Sequence, residues 1–342
     1  MLNKFLAFYA IVSCCMCQLV AKQQGRQALV PWQTNYEQAV QQAKATSKPL
    51  LLFFTGSDWC GWCNKLDEEA FETAEFANAA ANQFIFVKLD FPLYTSQDPQ
   101  LKSQNKELQQ KFDVRSFPTV IVVDPKQNQQ MGVTGYRPGG GKSFADYLLK
   151  MVNDYSGYQK KMGTLDQTPF SGEALKQLYH QAQLLKLAQD AAKITKKGMS
   201  SDESLFFMKE RYKYLAEEGH IHSQEALSLK QRLLKADPDN SKKVHYEIAV
   251  TDFEAYIQTM DKEGDSPELA VAPLTEYLEK FGAQDKDNVW RLNILISQVY
   301  LDKDKIATAL KYAQQSYESA PSSVQPELAR AVKNMRSQFN LN

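Results

Sequence analysis

The feature that most constrains the fold is a pair of cysteines placed shortly after a continuous apolar segment. Residues 50–55 have the sequence LLLFFT, which is long enough for a strand and apolar throughout, as is typical of a strand buried on both faces. After four more residues comes Cys60-Gly61-Trp62-Cys63, followed by helical sequence. The pattern predicts a buried strand that turns into a helix, with a C-x-x-C pair at the turn.

The sequence around this pair alternates between helical and strand patterns. We predict helices over 35–45, 64–82 with a break near Thr73, 101–112 and 144–155, and further strands over 84–89, 119–123 and 131–136. This order of elements is typical of a sheet with helices on both faces. We therefore place an α/β domain over residues 31–155.

From Tyr158 to Asn342 the chain consists of long polar segments rich in Ala and Leu, without a strand-like run. Turn sequences such as Asp237-Pro238-Asp239-Asn240 divide this all-α region into helices of about 12 to 20 residues. Ala226 and Ala309 each precede a proline by twelve positions, which matches two positions of the tetratricopeptide repeat. Because the tryptophan-leucine-glycine start of that repeat is absent, residues 158–342 form either tetratricopeptide-like helical hairpins or an irregular bundle.

Composition and cysteine spacing exclude several classes of protein. The chain has 40 basic and 40 acidic side chains, so it lacks the net positive charge that favours nucleic acid, and we expect no nucleic-acid partner. A lone C-x-x-C supplies two of the four ligands that structural zinc needs, and a c-type haem requires histidine where Asn64 stands. We therefore expect no metal and no cofactor beyond a redox-active Cys60–Cys63 disulfide.

The N-terminus has the features of an export signal. Lys4 supplies a positive charge, and the short apolar run FLAFYAIV follows. Cleavage after Ala21 would leave a small residue at the −1 position, whereas the sequence ending at Cys14 resembles a bacterial lipobox in which Cys14 would be lipidated. The same residues could also form an uncleaved anchor, a buried helix or a metal-binding cluster of the first three cysteines. We expect residues 1–21 to be a signal peptide or lipoprotein signal, and the protein to be exported to the periplasm, free or membrane-anchored.

A cysteine at a strand-to-helix turn has a defined chemistry. The first sulfur would lie at the helix N-terminus, where unpaired N–H groups and the helix dipole favour an anion. We therefore expect Cys60 to have a depressed pKa and to be the attacking thiolate, and Cys63 to resolve the mixed disulfide. An inert pair of core cysteines is the alternative, against which Gly61 and the polar Ser57-Asp58 argue.

Several motifs together resemble the thioredoxin superfamily. They are FFTGSDWCGWC over 53–63, Lys88 after a strand, and Phe117-Pro118-Thr119 before a strand. The stretch SDWCGWCNKLDEEAF is most similar to exported bacterial thiol:disulfide oxidoreductases near the C-terminal domain of the transmembrane thiol:disulfide interchange protein. The resemblance covers residues 31–155 and implies a central mixed sheet and protein-disulfide oxidoreductase activity.

The resemblance also implies roles for individual residues. Pro118 would be a cis-proline beside the two sulfurs, and the backbone of Phe117 would bind an incoming peptide as an extra strand. Lys88 would stabilise the thiolate. Without these roles, Pro118 would be a trans proline at the first position of a strand and Lys88 a solvated lysine. The residues expected to position the substrate are Trp59, Gly61, Trp62, Phe117 and Pro118.

Other positions depart from the thioredoxin pattern. Phe54 occupies the place of thioredoxin's buried acid, and we expect Asp58 and Asp67, which are nearer the cysteines, to be surface groups. Trp62 replaces the proline between the cysteines, which leaves the reduction potential open. The segment 93–105 is longer than in thioredoxin and either contacts substrate or serves as a spacer.

Two functional hypotheses follow. In the first, the protein is an exported thiol:disulfide oxidoreductase, acting more as a reductase, with cysteine-containing protein substrates and a membrane or soluble thiol-disulfide electron donor. In the second, it is a scaffold or adaptor whose helical region binds a protein partner, while the α/β domain docks with little turnover. The C-x-x-C pair favours the first, and the long helical region keeps the second open.

Overall fold

The computed structural model describes residues 29–260 and 266–339. Their contacts separate them into an α/β unit, residues 29–169 and 180–188, and a helical unit, residues 170–179 and 189 onward. The predicted signal over 1–21, with Cys14, lies outside the described residues. Within the described ranges, no helix is long and apolar enough to cross a membrane.

The α/β unit contains a four-stranded sheet and its surrounding helices. Its strands are β1 (Leu50–Thr55), β2 (Ile85–Asp90), β3 (Thr119–Asp124) and β4 (Gln129–Thr134). Its helices are α1 (Tyr36–Thr46), α2 (Gly61–Leu66) with a π-helical turn (Asp67–Phe71) directly after it, α3 (Ala74–Ala80), α4 (Pro99–Lys111) and α5 (Gly140–Gly163). The predicted α/β class is confirmed, and so is the predicted break at Thr73, which caps α3. Helix α5 is longer than predicted at both ends.

The sheet has the strand order β2-β1-β3-β4. β1 pairs with β2 in parallel and with β3 in antiparallel, and β4 is antiparallel to β3, so the sheet is mixed as the resemblance implied. Every residue of β1 is buried, which confirms the interpretation of its continuous apolar sequence. At the outer edge of β2, Gln33 forms one parallel bridge, donating its N–H to the Phe86 carbonyl (2.9 Å) and accepting from the Lys88 N–H (2.8 Å).

The two faces of β1 pack against different clusters. One face contributes Leu50, Leu52 and Phe54 to an apolar core that includes Ala39 and Leu108 of the helices α1 and α4. The other face contributes Phe53 to a cluster of aromatic rings whose centroids lie 4.9–6.2 Å apart. The other rings of that cluster are Trp32, Phe71, Phe76, Phe86 and Phe144. Helices thus cover both faces of the sheet.

The remaining described residues are helical, with no strand among the described residues after Thr134. The helices are α6 (Gly172–Leu184), through which the division between the units passes, α7 (Ala188–Gly198), α8 (Ser204–Glu217), α9 (Gln224–Ala236), α10 (Val244–Thr259), α11 (Pro267–Phe281), α12 (Lys286–Asp302), α13 (Ile306–Ser319) and α14 (Gln325–Gln338). Ala226 and Ala309 are fully buried, and α9 and α13 each end two residues before Pro238 and Pro321. The Ser297 hydroxyl donates to the Ala309 carbonyl at 2.7 Å, which marks a close crossing of α12 and α13. The tetratricopeptide-like assignment stays a prediction.

The start of α5 packs closely on the cap of α3. The Thr73 hydroxyl accepts from the Phe76 N–H (3.3 Å) and donates to the Ala70 carbonyl (2.7 Å). A Cβ added at Gly141 would lie 1.9 Å from this hydroxyl oxygen, whereas a Cβ added at Gly157 in the same helix would meet nothing within 4 Å. The sequence GGGKS over 139–143 therefore permits a close approach between helices.

We predict opposite effects of alanine at these two glycines. Gly141→Ala should lower the free energy of unfolding of the α/β unit by about 1–3 kcal/mol, because the methyl group displaces the Thr73 cap. Gly157→Ala should raise it by about 0.5–1 kcal/mol, because alanine loses less backbone entropy in a helix. Urea unfolding followed by tryptophan fluorescence is the measurement, since three of the four tryptophans lie in this unit. Equal effects of the two substitutions would contradict the packing argument.

Candidate active site

The two cysteines lie where the chain leaves β1 and enters α2. They form a disulfide with an S–S distance of 2.10 Å and a Cα–Cα distance of 5.2 Å. Cys60 is the N-cap of α2: its Sγ accepts from the Cys63 N–H at 3.2 Å, and its own N–H donates to the Gly56 carbonyl at 2.8 Å. The first sulfur therefore occupies the helix N-terminus, where backbone N–H groups stabilise negative charge.

The two cysteines differ in exposure. Cys60 is 6% exposed, whereas Cys63 is fully buried. Between them, a Cβ added at Gly61 would meet no atom within 4 Å, so the chain leaves open space at this position. The exposed part of the pair therefore belongs to Cys60.

Rings from three separate segments contact one another beginning at Trp59, the residue before Cys60. The Trp59 indole N–H donates to the Phe91 carbonyl at 2.8 Å, and the Trp59 ring lies edge-on to Phe117 with 5.6 Å between centroids. Phe91 and Phe117 lie 5.2 Å apart. The Phe117–Pro118 peptide bond is cis, which confirms that prediction. The loop carrying the cis-proline is therefore in contact with the W-C-G-W-C turn through aromatic rings.

A second aromatic group begins at Trp62. Its ring lies 5.2 Å from that of Tyr136, and the Lys65 ammonium lies 5.2 Å from the centroid of each ring. The Tyr136 hydroxyl donates to Glu69, and this hydrogen bond, more than partial burial, raises the pKa of Tyr136. The Trp62 ring contacts Tyr136 and Lys65, yet Trp62 remains 59% exposed. It therefore presents a large apolar surface next to Cys63.

Asp58 holds the segment after β2 against the turn. Its Oδ1 accepts from the Leu93 N–H (2.9 Å), and its Oδ2 accepts from the N–H groups of Tyr94 (2.8 Å) and Thr95 (2.9 Å) and from the Thr95 hydroxyl (3.1 Å). Burial raises the pKa of Asp58, but these donors outweigh burial and hold the pKa below its ordinary value. Asp58 lies at the surface as expected, but it is not a free group, because backbone donors 35 to 37 positions away surround its carboxylate.

The position of thioredoxin's buried acid is filled by a ring, and a carboxylate lies on another element. Phe54 is fully buried in the apolar core. Asp67, in the π-helical turn after α2, pairs with Lys88 (Nζ to Oδ2, 2.8 Å), and the Lys88 ammonium lies 5.4 Å from the centroid of the Phe53 ring. Burial raises the pKa of Asp67, and the hydrogen bond from Lys88 offsets part of that rise. The expectation that Asp67 is a surface group is wrong, because its side chain is only 16% exposed.

The structure brings together most of the predicted site residues. One region contains the disulfide, Trp59, Trp62 and the Phe117–Pro118 loop. Lys88 instead forms an ion pair with Asp67. Sequence reasoning missed the parts played by Asp58 and Tyr136. Asp58 directly precedes the W-C-G-W-C stretch, but no local pattern shows its hydrogen-bond donors or the partner of Tyr136, because these lie 35 to 37 and 67 positions away.

We predict a pH-dependent effect of Lys88→Met. Burial of Asp67 persists while the ammonium that stabilises its carboxylate is lost, so the pKa of Asp67 should rise further. A carboxyl whose pKa is raised in the folded state destabilises the protein once the pH rises above the unfolded-state pKa of about 4. The free energy of unfolding of the variant should therefore fall increasingly below that of the native protein from about pH 4 to 7. Urea unfolding at several pH values measures this difference.

Lys65→Met is the matched control for this prediction. Lys65 pairs with the exposed Glu69 at 3.7 Å and lies over the Trp62 and Tyr136 rings, and the loss of these exposed contacts should lower the free energy of unfolding by about 1 kcal/mol, to a similar extent at each pH. If the difference in free energy of unfolding between native protein and Lys88→Met shrinks toward neutral pH, the stabilisation of the Asp67 carboxylate by Lys88 is contradicted.

Comparison with known proteins agrees with this geometry. A family model described as thioredoxin-like matches residues 31–125. The thioredoxin-related protein DsbJ of Chlamydia pneumoniae is 30% identical over 311 residues, which cover 90% of this chain and 88% of DsbJ. The disulfide bond reductase DsbH of Chlamydia pneumoniae is 34% identical over 117 residues, which cover 34% of this chain and 69% of DsbH.

Among solved structures, a DsbH oxidoreductase is 31% identical and covers 36% of this chain and 85% of its own, with a TM-score of 0.35. The similarity to DsbJ extends through both units, and the matched thioredoxin-like region contains the Cys60–Cys63 disulfide. The chain therefore belongs to the thioredoxin superfamily, as a Dsb-like protein-disulfide oxidoreductase with a helical C-terminal region.

Proposed function

We propose that the protein reduces disulfides of protein substrates outside the cytoplasm, with Cys60 as the attacking thiolate and Cys63 as the resolving thiol. The observation that carries this assignment is the asymmetry of the pair. Cys60 caps α2 and keeps a small exposed surface, whereas Cys63 is fully buried. An incoming disulfide can therefore approach Cys60 alone.

The reaction proceeds by two thiol-disulfide exchanges. In the first, the Cys60 thiolate attacks one sulfur of the substrate disulfide, the substrate S–S bond breaks, and one substrate sulfur leaves as a thiolate that takes up a proton. In the second, Cys63 loses its proton and attacks the Cys60 sulfur of the mixed disulfide, and the second substrate thiolate leaves. Two electrons pass to the substrate, and the Cys60–Cys63 disulfide remains.

Continued turnover requires a partner that reduces this disulfide. Because Cys63 is buried, the partner's thiolate would also attack at Cys60, and a membrane-bound or soluble dithiol protein has the required chemistry. The reduced Cys60–Cys63 dithiol carries the two electrons to the substrate, so we propose no further cofactor.

The direction and the location rest on separate arguments. The disulfide bond reductase DsbH shares 34% identity over 117 residues with this chain, which favours reduction over oxidation. The apolar N-terminal sequence with its small residue at Ala21 favours export, and a lipid anchor on Cys14 is the alternative to simple cleavage.

We predict distinct phenotypes for the two serine variants. With dithiothreitol as the electron source, native protein should reduce a protein disulfide, and Cys60→Ser should abolish this activity, because the attacking thiolate is gone. Cys63→Ser should accumulate mixed disulfides through Cys60, since the attacking thiol remains and the resolving thiol does not. Non-reducing electrophoresis and mass spectrometry identify the adducts.

The Cys60→Ser protein is the control for trapping and should form few adducts. Adducts formed mainly through Cys63 in that protein would reverse the roles. The reduction potential tests the direction: a value near −270 mV against glutathione indicates a reductase, and one near −120 mV an oxidant.

We further propose that the helical unit selects or assembles partners and performs no redox chemistry. All cysteines of the chain lie in the first 63 positions, so the helical unit contains none. The adaptor hypothesis thereby becomes a second function of the same chain. The similarity to DsbJ covers 90% of this chain, so the helical unit is shared with that relative.

A chain that ends after Ala188 tests this division of labour. It should retain the Cys60–Cys63 redox couple and the reduction of small disulfides but lose binding of protein partners in a pull-down, because the binding surface is absent. Loss of redox activity and of folding together would show that the helical unit is part of the folding core.

A further inference from the structure

We propose that Leu93 and Tyr94 form a substrate-selecting surface next to the disulfide, which binds an apolar side chain adjacent to the reactive cysteine of an extended protein segment. This inference rests on the proposed exchange with protein disulfides. Among those substrates, it predicts a preference for ones with an apolar residue next to the reactive cysteine. We refer to Leu93 and Tyr94 together as the loop pair.

The backbone of the loop pair is fixed by hydrogen bonds. Four donors from Leu93, Tyr94 and Thr95 converge on the Asp58 carboxylate. At the start of the same loop, the Asp90 carbonyl accepts from the side-chain amides of Gln97 (3.0 Å) and Asn105 (2.9 Å). The loop is thus anchored at both ends, although it lacks regular secondary structure.

The side chains of the loop pair are nevertheless exposed. Leu93 is 67% exposed and Tyr94 is 80% exposed, so neither contributes much to the core. Neighbouring exposed apolar side chains on a fixed backbone are typical of a binding surface, because little backbone entropy remains to be lost when a partner binds.

The surface is continuous with the redox site. Asp58, which fixes the loop pair, directly precedes Trp59 and Cys60. The Trp59 indole N–H donates to the carbonyl of Phe91, which lies two residues before Leu93. The rings of Trp59 and Phe91 both contact the Phe117 ring. A protein segment whose sulfur reacts at Cys60 therefore passes close to this surface, which identifies the occupant as the substrate itself.

The charge of the surface favours an apolar neighbour of the substrate cysteine. The segment 93–97 has the sequence LYTSQ and carries no ionisable acid or base apart from the tyrosine hydroxyl. The nearby carboxylates are already engaged: Asp58 accepts four hydrogen bonds from the loop, Asp90 accepts from the Ser57 N–H and hydroxyl, and Asp98 caps α4. A charged substrate side chain would lose hydration here without gaining an ionic partner, whereas an apolar one would bury its surface against leucine and tyrosine.

The test compares three disulfide substrates. Two are model peptide disulfides that differ only in a leucine or a serine next to the cysteine, and the third is hydroxyethyl disulfide, which is too small to reach the loop pair. For native protein we expect kcat/KM to be about 10-fold higher with the leucine peptide than with the serine peptide.

In the Leu93→Ser/Tyr94→Ser protein this ratio should fall to about one, while the rate with hydroxyethyl disulfide stays within about twofold of native. Asp58→Asn should lower the ratio in the same direction, because an amide nitrogen replaces one acceptor oxygen and faces backbone donors. Leu184→Ser is the matched control: Leu184 is 77% exposed on α6 and should leave the ratio unchanged.

An unchanged ratio in the double variant overturns the inference. So does an equal loss with all three substrates, because that result indicates a general defect of the active site. Inactivity of native protein toward hydroxyethyl disulfide would instead contradict the proposed redox function, so the two failures are distinguishable.

Discussion

The structure of the α/β unit depends on the burial of β1 from all sides. β1 lies between β2 and β3, and every one of its six residues is buried. The chain leaves this buried strand at Thr55, and the C-x-x-C turn follows there. Three further segments reach the same end of the sheet, since β2 ends there at Asp90, β3 begins there at Thr119, and α2 begins at Gly61. The convergence of these segments assembles the redox site.

The interior below the disulfide is apolar, and its charges are displaced to the margins. Phe54, at the sequence position where the resemblance to thioredoxin implies an acid, packs near Phe91 and Phe112, with ring centroids 6.4 and 6.5 Å apart. The ionised groups instead lie in the Asp67–Lys88 pair on the aromatic face and in Asp58 at the loop. Because a carboxylate without partners is costly to bury, each of these acids is matched by donors.

Much of the fold could be predicted because its signals are local. The apolar run of β1, the helix break at Thr73 and the cis bond before Pro118 each depend on a few consecutive residues, and each is confirmed. The surroundings of Asp58 and Asp67 could not be predicted in this way, because their partners lie 35 and 21 positions away and meet them only after the sheet has formed. The full extent of α5 could not be predicted either, because the glycines at its start are typical of a loop and in fact permit contact with α3.

The single bridge from Gln33 to β2 has a consequence for the behaviour of the protein in concentrated solution. An unpaired strand edge presents a row of N–H and C=O groups with which another chain can pair, and this pairing leads to aggregation. Gln33 occupies the Phe86 carbonyl and the Lys88 N–H at the β2 edge, so incoming strands find the middle of that edge already bonded. Two hydrogen bonds from a residue outside the sheet thus protect the strand from unwanted self-association while the turn beyond β1 stays open for disulfide exchange.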